Sequence, residues 1–141
     1  MQILVEDYTK RILVWSPLRI HELKPQKGIK EAMQQIAQEE ILFKKALHSK
    51  PAYTVLLDEA GKSYDSKAFA RWLESRFNDS HKPLTFVFGG AFGFSPGFKQ
   101  EADELISFSP MTFSHQLIRL VFMEQIYRAL SIINHQPYHN D

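Results

Sequence analysis

Apolar positions change their period several times along this chain, and each change marks an element. Ile3, Leu4, Tyr8 and Ile12 recur at helical spacing, so Ile3–Val14 reads as a short helix that Ser16-Pro17 breaks. Leu18, Ile20 and Leu23 suggest a short strand, and KPQKG (Lys24–Gly28) a polar loop. From Ile29 to His48 the helical period returns. Ile29, Met33, Ile36 and Ala37 share one face, continued by Ile41, Phe43 and Leu47. YTVLLD (Tyr53–Asp58) is a β-rich apolar run and reads as a buried strand, with EAGKS after it as a loop. Asp65 or Ser66 can cap a helix reaching Phe77, with Phe69, Trp72, Leu73 and Phe77 inward. After the loop NDSHKP (Asn78–Pro83), LTFVF (Leu84–Phe88) is the next strand. Gly97–Glu104 reads as a short helix and Leu105–Phe108 as a short strand. Thr112 or Ser114 opens a last helix that runs to Ile133. That helix carries two apolar stripes, Leu117/Leu120/Val121 and Phe122/Ile126/Leu130, and so expects burial on two sides. Strands alternating with helices predict an α/β fold: a mainly parallel sheet with helices on both faces, in a single domain over residues 1–141.

Composition narrows the chemistry. The chain has 141 residues, 44% of them hydrophobic, enough for a core. With no cysteine, disulfides, thiolate metal sites and a cysteine nucleophile are excluded together. No apolar run is long enough to span a membrane, and MQILVEDYTK has acidic residues too early for a signal peptide, so a cytoplasmic protein is expected. A net charge of +1 is not that of a strongly basic nucleic-acid binder and points to no DNA partner, while a local basic face stays open because net charge says nothing about distribution.

Three segments follow predicted strands: Asp58–Ser63, Gly89–Ser95 and Ser107–Met111. In open α/β sheets ligands sit at that end of the strands. FVFGGAFGFSP (Phe86–Pro96) fails the dinucleotide fingerprint because Phe88 stands where its first glycine belongs. Gly61-Lys62-Ser63 fails as a phosphate loop because Leu56 stands where the leading glycine belongs. The glycines at 89, 90 and 93 would serve equally well in a tight turn that binds nothing. His135 and His139 are four apart, but Pro137 between them argues against a helical metal site, and none is expected. His21, His48 and His81 read as surface residues, and Arg71 and Arg76 as a solvated helix face. His115 begins the last helix with Arg119 one turn on. A solvated pair is the ordinary outcome of that spacing.

Three long segments carry a resemblance. LDEAGKSYDS (Leu57–Ser66), FVFGGAFGFSP and SFSPMTFSHQLIRLVFMEQIYRALSIINHQPYH (Ser107–His139) resemble the RlmH family of SPOUT methyltransferases, in order and in spacing. Asp7–Arg11 resembles the end of the family's first helix more faintly, and by that match the family's opening strand and glycine-lysine turn are expected to be missing. The resemblance implies an S-adenosylmethionine-dependent enzyme that methylates N3 of a pseudouridine in 23S ribosomal RNA of the assembled ribosome. It further implies a C-terminal trefoil knot and a homodimer. Carried over, the cofactor contacts are Leu57, Gly89, Gly90, Phe108, Ser109, Pro110, Met111, Thr112 and Phe113. The catalytic candidates are His115, Arg119, Tyr138 and His139, with His115 and His139 both open as the base and Arg128 a further RNA contact. The alternatives are a knotted dimer that keeps the cofactor but has lost activity through its short start, and an unknotted nucleotide-binding protein.

Overall fold

The computed structural model describes residues 1–24, 27–79 and 81–140. Pro25 and Gln26 of the first predicted loop, and Ser80 of the loop at 78–83, lie outside the described residues. Among them the elements run α1 (Gln2–Leu13), α2 (Ala32–Leu47), β1 (Tyr53–Ser63), α3 (Ser66–Asp79), β2 (Leu84–Phe88), α4 (Pro96–Glu101), β3 (Glu104–Ser107) and α5 (His115–Ile133). They form two units. One joins Met1–Ile20, Tyr64–Asp79 and Met111–Asp141; the other joins His21–Ser63 and Ser80–Pro110. Among the described residues no helix is long and apolar enough to cross a membrane.

The second unit holds the sheet, in the order β2-β1-β3, and both pairings are parallel. Central strand β1 is buried on both faces, Val55 and Leu56 being fully inaccessible, as a near-continuous apolar run in a parallel sheet should be. Leu57 pairs with Phe88 on one side and Ile106 on the other, so the carboxyl ends of all three strands share one edge. The core beside the sheet is Leu56, Val87, Phe94 and Phe98, with Phe43 and Leu47 of α2 packed against it. Phe94 and Phe98 stack at 5.6 Å, and Phe43 tilts against both.

The sheet unit departs from the sequence reading in four places. Leu18–Leu23, of which only residues 21–23 belong to this unit, form no strand. β1 does not end at Asp58: Asp58–Gly61 leave the ladder, and Lys62 and Ser63 re-enter it opposite Ile106 and Ser107. That return explains Gly61, where a Cβ would lie 2.6 Å from the backbone nitrogen of Ile106. α2 starts at Ala32, and its buried face is rotated from the apolar stripe. Met33 and Ile41 are 77% and 66% exposed, while Glu39 and Glu40 are buried. Finally, α4 begins one residue early at Pro96 and ends at Glu101, so Glu104, expected in that helix, instead opens β3, which stops at Ser107.

In the helical unit α1 and α3 both pack on α5. Asp65 rather than Ser66 caps α3, its Oδ1 accepting from the Ala68 N–H at 2.8 Å. Phe69, Trp72 and Leu73 are buried as expected, but Phe77 is exposed. Ser114, not Thr112, caps α5 through the Leu117 N–H. Of the two stripes on α5, Phe122/Ile126/Leu130 is buried, whereas Leu117 remains exposed. Arg76, read as solvated, is half-buried and pairs with Asp79 at 3.7 Å.

Candidate functional site

At the carboxyl edge of the sheet the loop Gly89–Ser95 leaves β2, and its three glycines are needed for three different reasons. A Cβ on Gly89 would press the Phe94 ring at 3.0 Å. A Cβ on Gly90 would lie 2.0 Å from Oε2 of Glu39, so the missing side chain makes room for a carboxylate of the chain itself. Gly93 has φ +74°, the left-handed region that glycine enters without cost, and open space where its Cβ would be. The Gly93 N–H donates to the Gly90 carbonyl at 3.1 Å and closes the turn.

Both ends of this loop are held by α2. Oε1 of Glu39 accepts from the Gly90 N–H at 3.3 Å, and its Oε2 accepts from the Gln35 side chain. Glu40 accepts twice from Ser95, from the N–H at 2.7 Å and from the hydroxyl at 2.6 Å. Ser95 Oγ in turn accepts from the Phe98 N–H and caps α4, with Pro96 in its first turn. Elsewhere on the edge, Asp58 accepts from the Ala60 N–H and pairs with Lys99 at 3.1 Å. The Ser107 hydroxyl donates to the Ser109 carbonyl at 3.0 Å, turning the chain after β3.

Of the residues carried over for the cofactor, Leu57, Gly89, Gly90, Phe108, Ser109 and Pro110 lie in the sheet unit, on or just past the three adjacent strand ends. Met111, Thr112 and Phe113 belong to the helical unit, in the stretch before α5. Met111 is 71% exposed.

The four catalytic candidates all belong to the helical unit, and they fall into two pairs. His115 is exposed at the first position of α5, with the partly buried Arg119 one turn on. Tyr138 and His139 follow the helix, where the chain turns at His135 with φ +57°. They fold back onto Arg128, whose guanidinium donates to His139 Nδ1 at 3.0 Å and covers the Tyr138 ring at 4.8 Å. Arg128 is thirteen residues past His115 on the same helix, about 20 Å along its axis. One chain therefore does not gather the two pairs.

Glu124 organises the second pair. Its Oε1 accepts from Arg128 Nε and Nη2 and from the Tyr138 hydroxyl at 3.2 Å, and Oε2 accepts from Gln125. Gln125 Oε1 accepts from Ser66 of α3 at 2.9 Å. Tyr8 of α1 shares a hydrogen bond with Tyr138 at 3.1 Å, and Tyr127 meets Tyr138 edge-on and stacks on Trp15. Burial first, then the hydrogen bond to Tyr8, raises Tyr138 above the ordinary phenol range. The hydrogen bond to Glu124 raises Arg128 further above neutrality. A guanidinium only donates, so His139 Nδ1 is an acceptor and the ring proton sits on Nε2. In this arrangement His139 offers a proton rather than a lone pair.

Reading the sequence for apolar period missed Glu39, Glu40 and Glu124. A signal existed for the first two. Ile36, Phe43 and Leu47 lie along one helix face, and the gap between Ile36 and Phe43 is filled by the two glutamates.

The family model described as predicted SPOUT methyltransferase matches residues 1–139. A protein of Parabacteroides distasonis named ribosomal RNA large subunit methyltransferase H is 43% identical over 97% of this chain and 88% of its own length. Proteins of the same name from Bacteroides fragilis and Flavobacterium johnsoniae are 44% and 37% identical, over 97% and 99% of this chain and 88% and 90% of their own lengths. With the parallel sheet and with matches that run nearly end to end, the chain belongs to the RlmH family of SPOUT methyltransferases.

Proposed function

We propose that this chain is an S-adenosylmethionine-dependent methyltransferase that modifies N3 of a pseudouridine in 23S ribosomal RNA of the assembled ribosome, in the cytoplasm. It would act as one domain with a C-terminal trefoil knot, paired in a homodimer. The observation that carries the reading is the shared carboxyl edge of β1, β2 and β3, where Leu57, Gly89, Gly90 and Phe108–Pro110 follow one another in space. The names of the relatives supply the RNA.

The residues of that edge suit a nucleoside cofactor. Leu57 and Phe108 are half-buried and apolar, and Gly93 leaves open space beside the loop backbone. Apolar walls with a few backbone polar groups are the usual build of such a pocket. Met111, Thr112 and Phe113 would complete the contacts. When bound, the cofactor supplies a methyl group already activated by its sulfonium.

The chain's own task is then to position the base and remove its N3 proton, so that the nitrogen lone pair can form the new bond. His115 is the residue we assign to accept that proton, because His139 is occupied at Nδ1 by Arg128. Arg119, one turn from His115, would hold the RNA backbone or the base carbonyl. Tyr138 and His139, remote from His115 along α5, would reach a reacting base beside the other subunit's His115. A homodimer supplies what one chain does not gather.

Calorimetry with S-adenosylmethionine, S-adenosylhomocysteine and ATP tests the cofactor: one site per subunit for the first two and none for ATP is expected. ATP binding as tightly as the sulfonium cofactor would overturn the assignment. Labelled cofactor with ribosomes lacking the modification, against naked 23S RNA, tests the substrate. Transfer should require the ribosome, and cofactor binding without transfer to either would leave a binding protein and no enzyme.

A further inference from the structure

We propose that Glu39 and Glu40 are positioning residues: together they hold the glycine loop in the shape that receives the cofactor. The role rests on the cofactor reading of that loop. Two adjacent carboxylates are 7% and 8% exposed on a helix that leaves Met33 and Ile41 in solvent. Burying a carboxylate is costly unless hydrogen bonds replace its water. Here the replacements are mostly the loop's own donors, with the Gln35 side chain on the second oxygen of Glu39. Glu39 takes the N–H of Gly90 where the loop leaves β2, and Glu40 takes the N–H and hydroxyl of Ser95 where the loop enters α4.

The two ends are thereby tied to one rigid helix, and the span between them, Ala91 to Phe94, is closed by its internal turn and by the Phe94 ring packed in the core. A loop set in shape before its ligand arrives loses less entropy on binding. The clamp also assigns Gly90 a reason. Its missing side chain accommodates Glu39, so a larger residue there acts by displacing the carboxylate. Glu40 reaches further, since Ser95 caps α4 and α4 carries Phe98 into the core.

The test is a double-mutant cycle on the full chain, read as S-adenosylmethionine affinity by calorimetry, with backbone amide hydrogen exchange in parallel. Gly90→Ala and Glu39→Ala should each weaken binding about tenfold, the order expected for losing a hydrogen bond to a charged group. Combined, they should weaken it no more than Glu39→Ala alone, because both remove the same contact. Glu39→Gln keeps an acceptor oxygen for Gly90 and should restore affinity to within about threefold of the parent. Full additivity of Gly90→Ala and Glu39→Ala, or a Glu39→Gln as poor as Glu39→Ala, would overturn the clamp while leaving the cofactor reading intact.

Glu40→Ala should expose the Ser95 amide to exchange and raise KM for the cofactor with kcat at saturation retained. A kcat loss at unchanged KM would count against positioning. If Glu40→Ala does not fold, the Gly90 and Glu39 cycle decides. If the parent chain binds no S-adenosylmethionine, yet its Gly90 amide is protected and Glu39→Ala releases it, the cofactor reading fails and the geometric clamp stands without a ligand.

Discussion

The glycine loop of the sheet unit and the C-terminal turn of the helical unit are both irregular chain organised by glutamates, but the glutamates grip different things. Glu39 and Glu40 come from a helix 51 and 55 residues earlier in sequence and hold backbone N–H groups and one hydroxyl. Glu124 lies only 14 residues before Tyr138 and holds side chains, Tyr138 and Arg128. The first arrangement fixes the path of a loop and leaves its tip side chains outside the clamp, Phe92 being 50% exposed. The second fixes the side chains themselves and stacks them on Tyr127 and Trp15. Backbone clamping suits a loop whose contribution is shape. Side-chain clamping suits a tail whose contribution is its functional groups.

The largest effect should come from removing the floor of the loop. Phe98→Ala takes a buried ring out of its cluster with Phe43 and Phe94 and should cost about 3–5 kcal/mol in urea unfolding. A loss under about 1 kcal/mol would mean that the loop's support is elsewhere.

Glu124→Ala strikes the other region. Arg128 and Tyr138 lose a shared acceptor that is partly open to solvent, so about 2 kcal/mol is expected. The tail past Asn134 should become sensitive to limited proteolysis at the same time. An intact tail in the variant would show that the aromatic stack alone holds it.

Tyr138→Phe gives the smallest effect and the most specific one. The folded chain keeps the phenol proton at a pH where the unfolded chain releases it, about pH 10. The stabilisation from this group is therefore complete below that pH and is lost as pH rises above it. Melting temperature should fall more steeply from about pH 10 upward in the parent than in Tyr138→Phe. Parallel slopes would place the raised phenol outside the network.

Much of this could be read from residue order. α3, β2 and α5 fall close to where periodicity and capping put them, since both signals are local: Asp65 and Ser114 accept from amides three residues on. The three strand-end turns were also legible, because buried apolar runs stop abruptly at Asp58, Gly89 and Ser107. The twofold stop in β1 was not. Lys62 and Ser63 return to β3 for pairing that no alternation within residues 58–63 announces.

By itself, then, the sequence determined the kind and order of the elements from α2 onward, the parallel α/β class and the family, because each is written in short-range pattern or in motif identity. Tertiary structure alone decided which face of α2 is buried, why Gly90 is glycine, and that His115 and Arg119 stand apart from Tyr138 and His139 on one chain. The reason is physical. Periodicity reports where apolar surface can be hidden, but a buried carboxylate answers to the unsatisfied donors of a distant loop, and only the folded chain brings the two together.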